Sequence, residues 1–323
     1  MTVSESDIEP GAGVFELNFP RAHGALPGTA LFRRECADFQ VDEDLGVEPA
    51  GQGEHLYLRI RKTDQNTRWV AKLLGEYFGI DPGLVGYGGL KDRRAVTTQW
   101  FSLQLPGGEG LPPLPALPGC EVLAATRHPR KLRPGSHRGN RFVIRLRDFS
   151  GDLPALEERL ALVARHGVPN YFGEQRFGIG GGNLAEVQRI LAMASPRFKG
   201  QRGGLYLSAA RSWLFNQVLA ARVIDGSWRG VADAPLWGRG RPVGSPPVLA
   251  YEAAVLAAWQ PWCHALEHSG LRQERRAAVL LPEGMAWSFE GADLVLEFGL
   301  PPGCYATAVL RELAMLTGPE PMV

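Results

Sequence analysis

One carboxylate stands among three cations in this sequence: Asp92, with Lys91 before it and Arg93-Arg94 after it, inside Val85-Gly86-Tyr87-Gly88-Gly89-Leu90-Lys91-Asp92-Arg93-Arg94-Ala95-Val96-Thr97-Thr98-Gln99-Trp100. Positive charge on both sides favours an ionised acid. Gly86, Gly88 and Gly89 open backbone angles closed to other residues and let a ligand approach the main chain. A carboxylate held this way is suited to act as a nucleophile towards an anionic partner. Taken as an isolated motif, it is explained more simply as a solvated Asp in a surface turn.

The flanking elements can be read from periodicity. His55-Leu56-Tyr57-Leu58-Arg59-Ile60-Arg61 alternates Leu56, Leu58 and Ile60 with Tyr57, Arg59 and Arg61, the pattern of a half-buried strand. A helix is expected from Thr67 to Gly79, with Val70, Leu73, Leu74, Tyr77 and Phe78 on one face. Asn66 or Thr67 can accept hydrogen bonds from the free amides at its start. Asp81-Pro82-Gly83 ends it and delivers the chain to the Asp92 loop, which runs into a strand over Gln99–Leu103. Upstream, residues before Phe15 read as a loose acidic leader, and Leu31–Val41 as a strand-rich segment. Downstream, five prolines from Pro106 to Pro118 predict an extended connection. Helices are expected over Leu153–His166, after caps at Asn183 and Ser208, over Val248–Ala265 and over Ala306–Leu316. Met285–Phe289 and Asp293–Phe298 read as strands.

Charge is unevenly placed. No acidic residue occurs from Val122 to Arg147, whereas Arg127, Arg130, Lys131, Arg133, Arg138, Arg141, Arg145 and Arg147 all do. Such a run fits either a solvated basic loop or a surface that holds nucleic-acid phosphates. Net charge is only +1, so any affinity for nucleic acid has to come from this local concentration. With 323 residues, 45% apolar and 21% charged, the chain can bury the core of an ordinary globular protein of two domains. Cys36, Cys120, Cys263 and Cys304 lie far apart without a Cys-x-x-Cys pair, which argues against a disulfide framework or a zinc ribbon. The first residues lack the basic and apolar regions of a secretory signal, and no apolar run approaches the ~18 residues of a membrane span. A cytoplasmic protein is expected, with no membrane association and no obligate protein partner.

Gly89-Leu90-Lys91-Asp92-Arg93-Arg94-Ala95-Val96-Thr97 resembles the signature of the tRNA pseudouridine synthase D (TruD) family. Further family-like segments follow in the family's order: Asp38-Phe39, Gly139-Asn140-Arg141-Phe142, Pro169-Asn170-Tyr171-Phe172-Gly173-Glu174-Gln175-Arg176-Phe177-Gly178 and Ala306-Thr307. The resemblance implies an α+β pseudouridine-synthase fold, with a central, mostly antiparallel sheet, and an inserted α/β (TRUD) domain. By that likeness residues 1–166 and 278–323 form the catalytic domain and 167–277 the insertion. The implied reaction isomerises uridine to pseudouridine in tRNA, at uridine-13, with no redox or metal cofactor. Asp92 would be the nucleophile, by attack on the sugar or by abstraction of a sugar proton, with Arg33 as its ion-pair partner. Phe39, Asn140, Tyr305 and Lys91 would contact the substrate. Tyr305 departs from the family's usual Phe, and Arg33 from its usual Lys. Both changes keep the chemistry, since a phenol ring still stacks and a guanidinium still pairs. Beside that site, Arg130, Lys131, Arg133 and Arg138 are the expected phosphate contacts.

Two other motifs point elsewhere. His264-Ala265-Leu266-Glu267-His268 fits the His-x-x-Glu-His pattern of zinc sites, but Ser269-Gly270 ends the helix and a further ligand would have to come from elsewhere. Gly178-Ile179-Gly180-Gly181-Gly182-Asn183 lacks the last glycine of a dinucleotide turn and has no clear preceding parallel strand. Neither displaces the Asp92 reading. Two rivals remain at this stage, a non-catalytic RNA binder and a dinucleotide-dependent oxidoreductase built on Gly178–Asn183.

Overall fold

The computed structural model describes residues 15–106, 110–193, 197–198 and 200–318. The expected acidic leader lies outside the described residues. In chain order the elements begin with β1 (Gly28–Phe32), β2 (Phe39–Asp44), β3 (His55–Thr63), α1 (Thr67–Phe78), β4 (Gly86–Tyr87), β5 (Val96–Gln104), β6 (Cys120–His128), β7 (Gly139–Gly151) and α2 (Leu153–His166). There follow β8 (Val168–Pro169), α3 (Gly182–Leu191), α4 (Gly200–Ile224), β9 (Asp233–Leu236), α5 (Pro246–Val255), α6 (Gln260–Glu267), β10 (Glu274–Ala277) and β11 (Val279–Leu280). The chain closes with β12 (Glu283–Glu290), β13 (Asp293–Leu300), α7 (Ala306–Leu310) and β14 (Met315–Thr317).

The chain divides into two compact units, Ala25–Gly167 with Leu281–Val323, and Val168–Leu280 with the residues up to Gly24. The larger unit is built on a 10-stranded sheet whose central order is β12-β13-β7-β2-β5-β3-β6. Its pairings are antiparallel except β2 with β5 and β1 with β14. The β3 alternation sets its register: Leu56, Leu58 and Ile60 are fully buried against Val70, Ala71 and Leu74 of α1 and against Phe101 and Leu103 of β5. Each such aliphatic side chain contributes roughly 1.5–3 kcal/mol by leaving water. At the head of α1 the Asn66 side chain accepts from Arg68 N at 2.9 Å, and Gly79 closes the helix in the left-handed conformation.

In the smaller unit α4 packs beside α3, α6 and β9 around an aromatic cluster. Phe19 stacks on Tyr171, and Phe15 and Phe19 both meet Trp213. Those contacts are why residues 15–24 belong with this unit, whereas the resemblance places them with the segment ending at residue 166. Local structure here departs from the sequence reading in three places. The α3 cap is Gly181, and Asn183 lies within the helix with its amide donating to Arg176 O. Ser208 sits inside the long α4 and accepts from Arg176. The single helix expected from Val248 to Ala265 is two helices, because Pro261 in the first turn of α6 has no N–H to continue a preceding turn. In the larger unit α7 stops at Leu310, since Met315–Thr317 is taken up as a parallel strand beside β1. Among the described residues no helix is long and apolar enough to cross a membrane.

Candidate active site

Asp92 lies in the loop between β4 and β5, in the larger unit. That loop is pinned by polar contacts from its neighbours. The Gln99 amide donates to Gly89 O at 3.1 Å, and Lys91 N donates to Thr67 Oγ1 at 3.0 Å. Thr67 in turn donates to Gln99 Oε1 at 2.8 Å, tying the start of α1 to the loop. Gly88 is needed for close approach, because a Cβ there would stand 2.9 Å from His137 Nδ1 and 3.3 Å from Glu43 Oε2.

The Asp92 carboxylate, 41% exposed, faces Arg33. Arg33 Nη2 is 3.2 Å from Oδ2 and Nη1 donates to Oδ1 at 3.5 Å, a two-pronged pairing. Arg33 has a left-handed backbone, φ 58°, which is uncommon outside glycine. Its guanidinium lies 4.0 Å from the centroid of the Phe39 ring, and that ring is buried between Phe32 and Phe142. The structure therefore brings Arg33, Phe39 and Asp92 together as one stack, in which the planar guanidinium covers the aromatic face.

A second group underlies the loop. Lys91, almost fully buried, pairs with the buried Glu43 of β2, whose other oxygen accepts from Trp100 N at 3.1 Å. In this structure Lys91 points into the protein. Asn140 of β7 stands opposite Glu43 in the sheet register, and its amide Nδ2 lies 3.4 Å from His137 Nε2. Burial pushes the His137 pKa down, partly countered by Glu43 and reinforced by Lys91. Asn140 is thus joined to the Asp92 loop through Glu43, Lys91 and His137. Tyr305 is the half-buried residue preceding α7.

Sequence reasoning missed one group beside Asp92. Lys62 follows Leu56, Leu58 and Ile60 on the same face of β3, so strand alternation carries an ammonium into the core. Its Nζ donates to Gln65 O at 2.6 Å and to Asp92 O at 3.0 Å. Burial lowers its pKa to about 8, against the pull of Asp92 and Cys120 and with the push of Lys91. The signal was available: a lysine continuing an apolar alternation must either snorkel to water or find buried acceptors.

The basic run divides by partner. Arg127 is buried and donates to Leu105 O and Gly110 O. Arg145 pairs with Glu290 and Asp293, and Arg147 with Asp38 and Glu35. Arg130, Lys131, Arg133 and Arg138 are exposed on the loop joining β6 to β7, Arg138 meeting Asp44 at 2.8 Å. In the smaller unit, candidate ligand atoms of His264, Glu267 and His268 lie within 4.8 Å of one another. Trp237 donates to one Glu267 oxygen, and His268 Nδ1 lies 2.8 Å from the main-chain oxygen of His264, so the Glu267 and His268 side chains are already engaged with the fold.

A family profile described as tRNA pseudouridine synthase D (TruD) matches residues 26–197 and 249–313. A tRNA pseudouridine synthase D from Cellvibrio japonicus is 48% identical over 321 residues, 95% of each chain. One from Methylococcus capsulatus is 46% identical over 333 residues, spanning 92% of this chain and 94% of the relative. The crystal structure of a Methanosarcina mazei protein designated tRNA pseudouridine synthase D (TruD) superposes with a TM-score of 0.65, covering 92% of this chain and 96% of that one. At 19% identity that likeness speaks to the fold alone, and with the large, mostly antiparallel sheet it identifies the α+β pseudouridine-synthase fold. From the profile and the relatives together it follows that this chain belongs to the tRNA pseudouridine synthase D (TruD) family.

Proposed function

We propose that this protein isomerises uridine to pseudouridine in tRNA, at uridine-13, with Asp92 as the nucleophile. One observation carries the reading. Asp92 presents a partly exposed carboxylate from a loop pinned at Gly89, Lys91 and Asp92 itself, and Arg33 holds both its oxygens above an aromatic ring. A non-catalytic RNA binder gains nothing from a carboxylate held at its surface in this way. In the reaction the N1–C1′ bond breaks, the uracil turns, and C5 bonds to C1′. The proton displaced from C5 goes to solvent and N1 takes one up. Atoms and electrons balance within the nucleoside, so the conversion requires no redox cofactor, and the proposed roles call for no metal.

The target base must leave its stack, at a cost of a few kcal/mol. Phe39 and Tyr305 are the rings assigned to offset that cost, and Asn140 the amide that reads the uracil edge. Arg33 now lies on the Phe39 face where a flat pyrimidine would stack, so the guanidinium holds that place in the free protein. Lys91 contributes from beneath, through Glu43. Arg130, Lys131, Arg133 and Arg138 are assigned to flanking phosphates. The larger unit is read as the catalytic domain and the smaller as the inserted domain. Free cysteines suit a cytoplasmic location.

The test is Asp92→Asn assayed by tritium release from C5 of labelled uridine in tRNA, with tRNA binding measured in parallel. The amide keeps the shape and removes the nucleophile, so turnover is expected to vanish while binding stays within a few-fold. Turnover at the wild-type rate would reject the assignment.

A further inference from the structure

Lys62 is a fully buried cation that the proposed reaction does not use. It is enclosed on both sides, facing Thr97 on β5 and Cys120 on β6. Burying an ammonium is costly unless its donors are met, and here main-chain oxygens meet two of the three. One belongs to Gln65, in the turn that leads to the cap of α1; the other belongs to Asp92. The Asp92 residue is therefore held twice: by Arg33 at its carboxylate and by Lys62 at its carbonyl.

The contacts around it show what this second grip does. Gly89 and Lys91 are tied to Gln99 and Thr67, and Ala95 O accepts from Asp64 N at 3.2 Å. Between Lys91 and Ala95, Lys62 supplies a donor from beneath the loop. A carbonyl in a partly buried site that loses its donor either goes unsatisfied at some cost or moves to find another. Movement of the backbone at Asp92 would carry the carboxylate with it, and misplacement by about 1 Å can cost a hundredfold in rate.

We infer that Lys62 is a positioning residue, which fixes the main chain at Asp92 and so aims its carboxylate at the substrate. The inference rests on the assignment of Asp92 as the catalytic carboxylate. Burial lowers the Lys62 pKa to about 8; of the groups facing the ammonium, Asp92 and Cys120 oppose that shift and Lys91 adds to it. Its charge changes within the working pH range, and turnover should change with it.

The experiment compares the full-length protein with Lys62→Met and Lys62→Gln, reading single-turnover rate at saturating tRNA, tRNA affinity, and the pH profile from 6.5 to 9.5. Lys62→Met is expected to fold, because apolar replacement of a buried charge is often tolerated. It should bind tRNA within about twofold of wild type and turn over at least about tenfold more slowly. Lys62→Gln, which keeps a donor on a shorter arm, should fall between them. The wild-type rate should change across pH 8 and neither variant should show that change. A Lys62→Met rate within about twofold of wild type with the same pH profile would overturn the inference. So would unfolding of both variants, which would assign Lys62 to the fold rather than to the loop. Asp92→Asn runs alongside: if it is active, the catalytic assignment fails first, and if it is inactive while Lys62→Met is fully active, only this inference fails.

Discussion

Glu43→Gln should be among the most damaging conservative changes in the larger unit. The Glu43 side chain is fully buried, its Lys91 partner is 5% exposed, and Trp100 N donates to the same carboxylate. The amide can still accept from Trp100, but it leaves the Lys91 ammonium with no opposite charge in a site closed to water. Breaking a buried pair from one side costs about 3–5 kcal/mol. In a unit of this size each kcal/mol lowers the melting temperature by roughly 2–4 °C, so a drop of about 6–20 °C is expected. Lys91→Met should destabilise comparably, because it strands the Glu43 carboxylate. The double variant Glu43→Gln/Lys91→Met leaves neither charge stranded and should recover more than half of the loss, a coupling that thermal melts of the four proteins would measure. Because Lys91 adjoins Asp92, the single variants should also lose turnover at temperatures where they remain folded. A Glu43→Gln protein melting within about 2 °C of wild type would refute the argument, as would strictly additive single and double changes.

Two further outcomes follow from the same contacts. Burial lowers the pKa values of His55, His128 and His137, so the folded state takes up fewer protons than the unfolded chain as pH falls below 6.5. The stability they contribute is present above that pH and lost as pH falls through the folded values. Urea midpoints should therefore drop between pH 7.5 and 5.5, and an unchanged midpoint would count against the burial account. Replacing Arg130, Lys131 and Arg133 together by Ala should weaken tRNA binding and reduce the slope of log affinity against log salt by about 2–3. The melting temperature should hardly move, since these side chains are exposed; an unaltered salt slope would remove the loop from the phosphate-binding surface.

Much of the local architecture was legible because its signals are local. The alternation of Leu56, Leu58 and Ile60 appears as β3, and the Asn66 cap appears with its hydrogen bond to Arg68 N. The expected helix over Leu153–His166 has those bounds in the structure. The misread caps at Asn183 and Ser208 failed for one shared reason. Both side chains are engaged by Arg176, and a polar side chain satisfied by a distant partner need not cap a helix. The Met315–Leu316 segment has a helical pattern in sequence but lies within reach of the unpaired edge of β1, and tertiary pairing took precedence.

The sequence by itself determined the chemistry on offer: an aspartate among cations in a glycine-rich loop, a basic stretch without acids, and a family signature spread along the chain. Residue type and spacing are sufficient for that, because they do not depend on what lies across the sheet. Only the tertiary structure decided which cations do what. It turned Lys91 inward to Glu43, laid Arg33 on Phe39 beside Asp92, consumed Arg127, Arg145 and Arg147 in internal contacts, and buried Lys62 beneath the loop. The partners concerned are up to 148 residues apart in the chain. A charge is neutralised by whatever the fold brings within a few ångströms, and sequence distance carries no information about that.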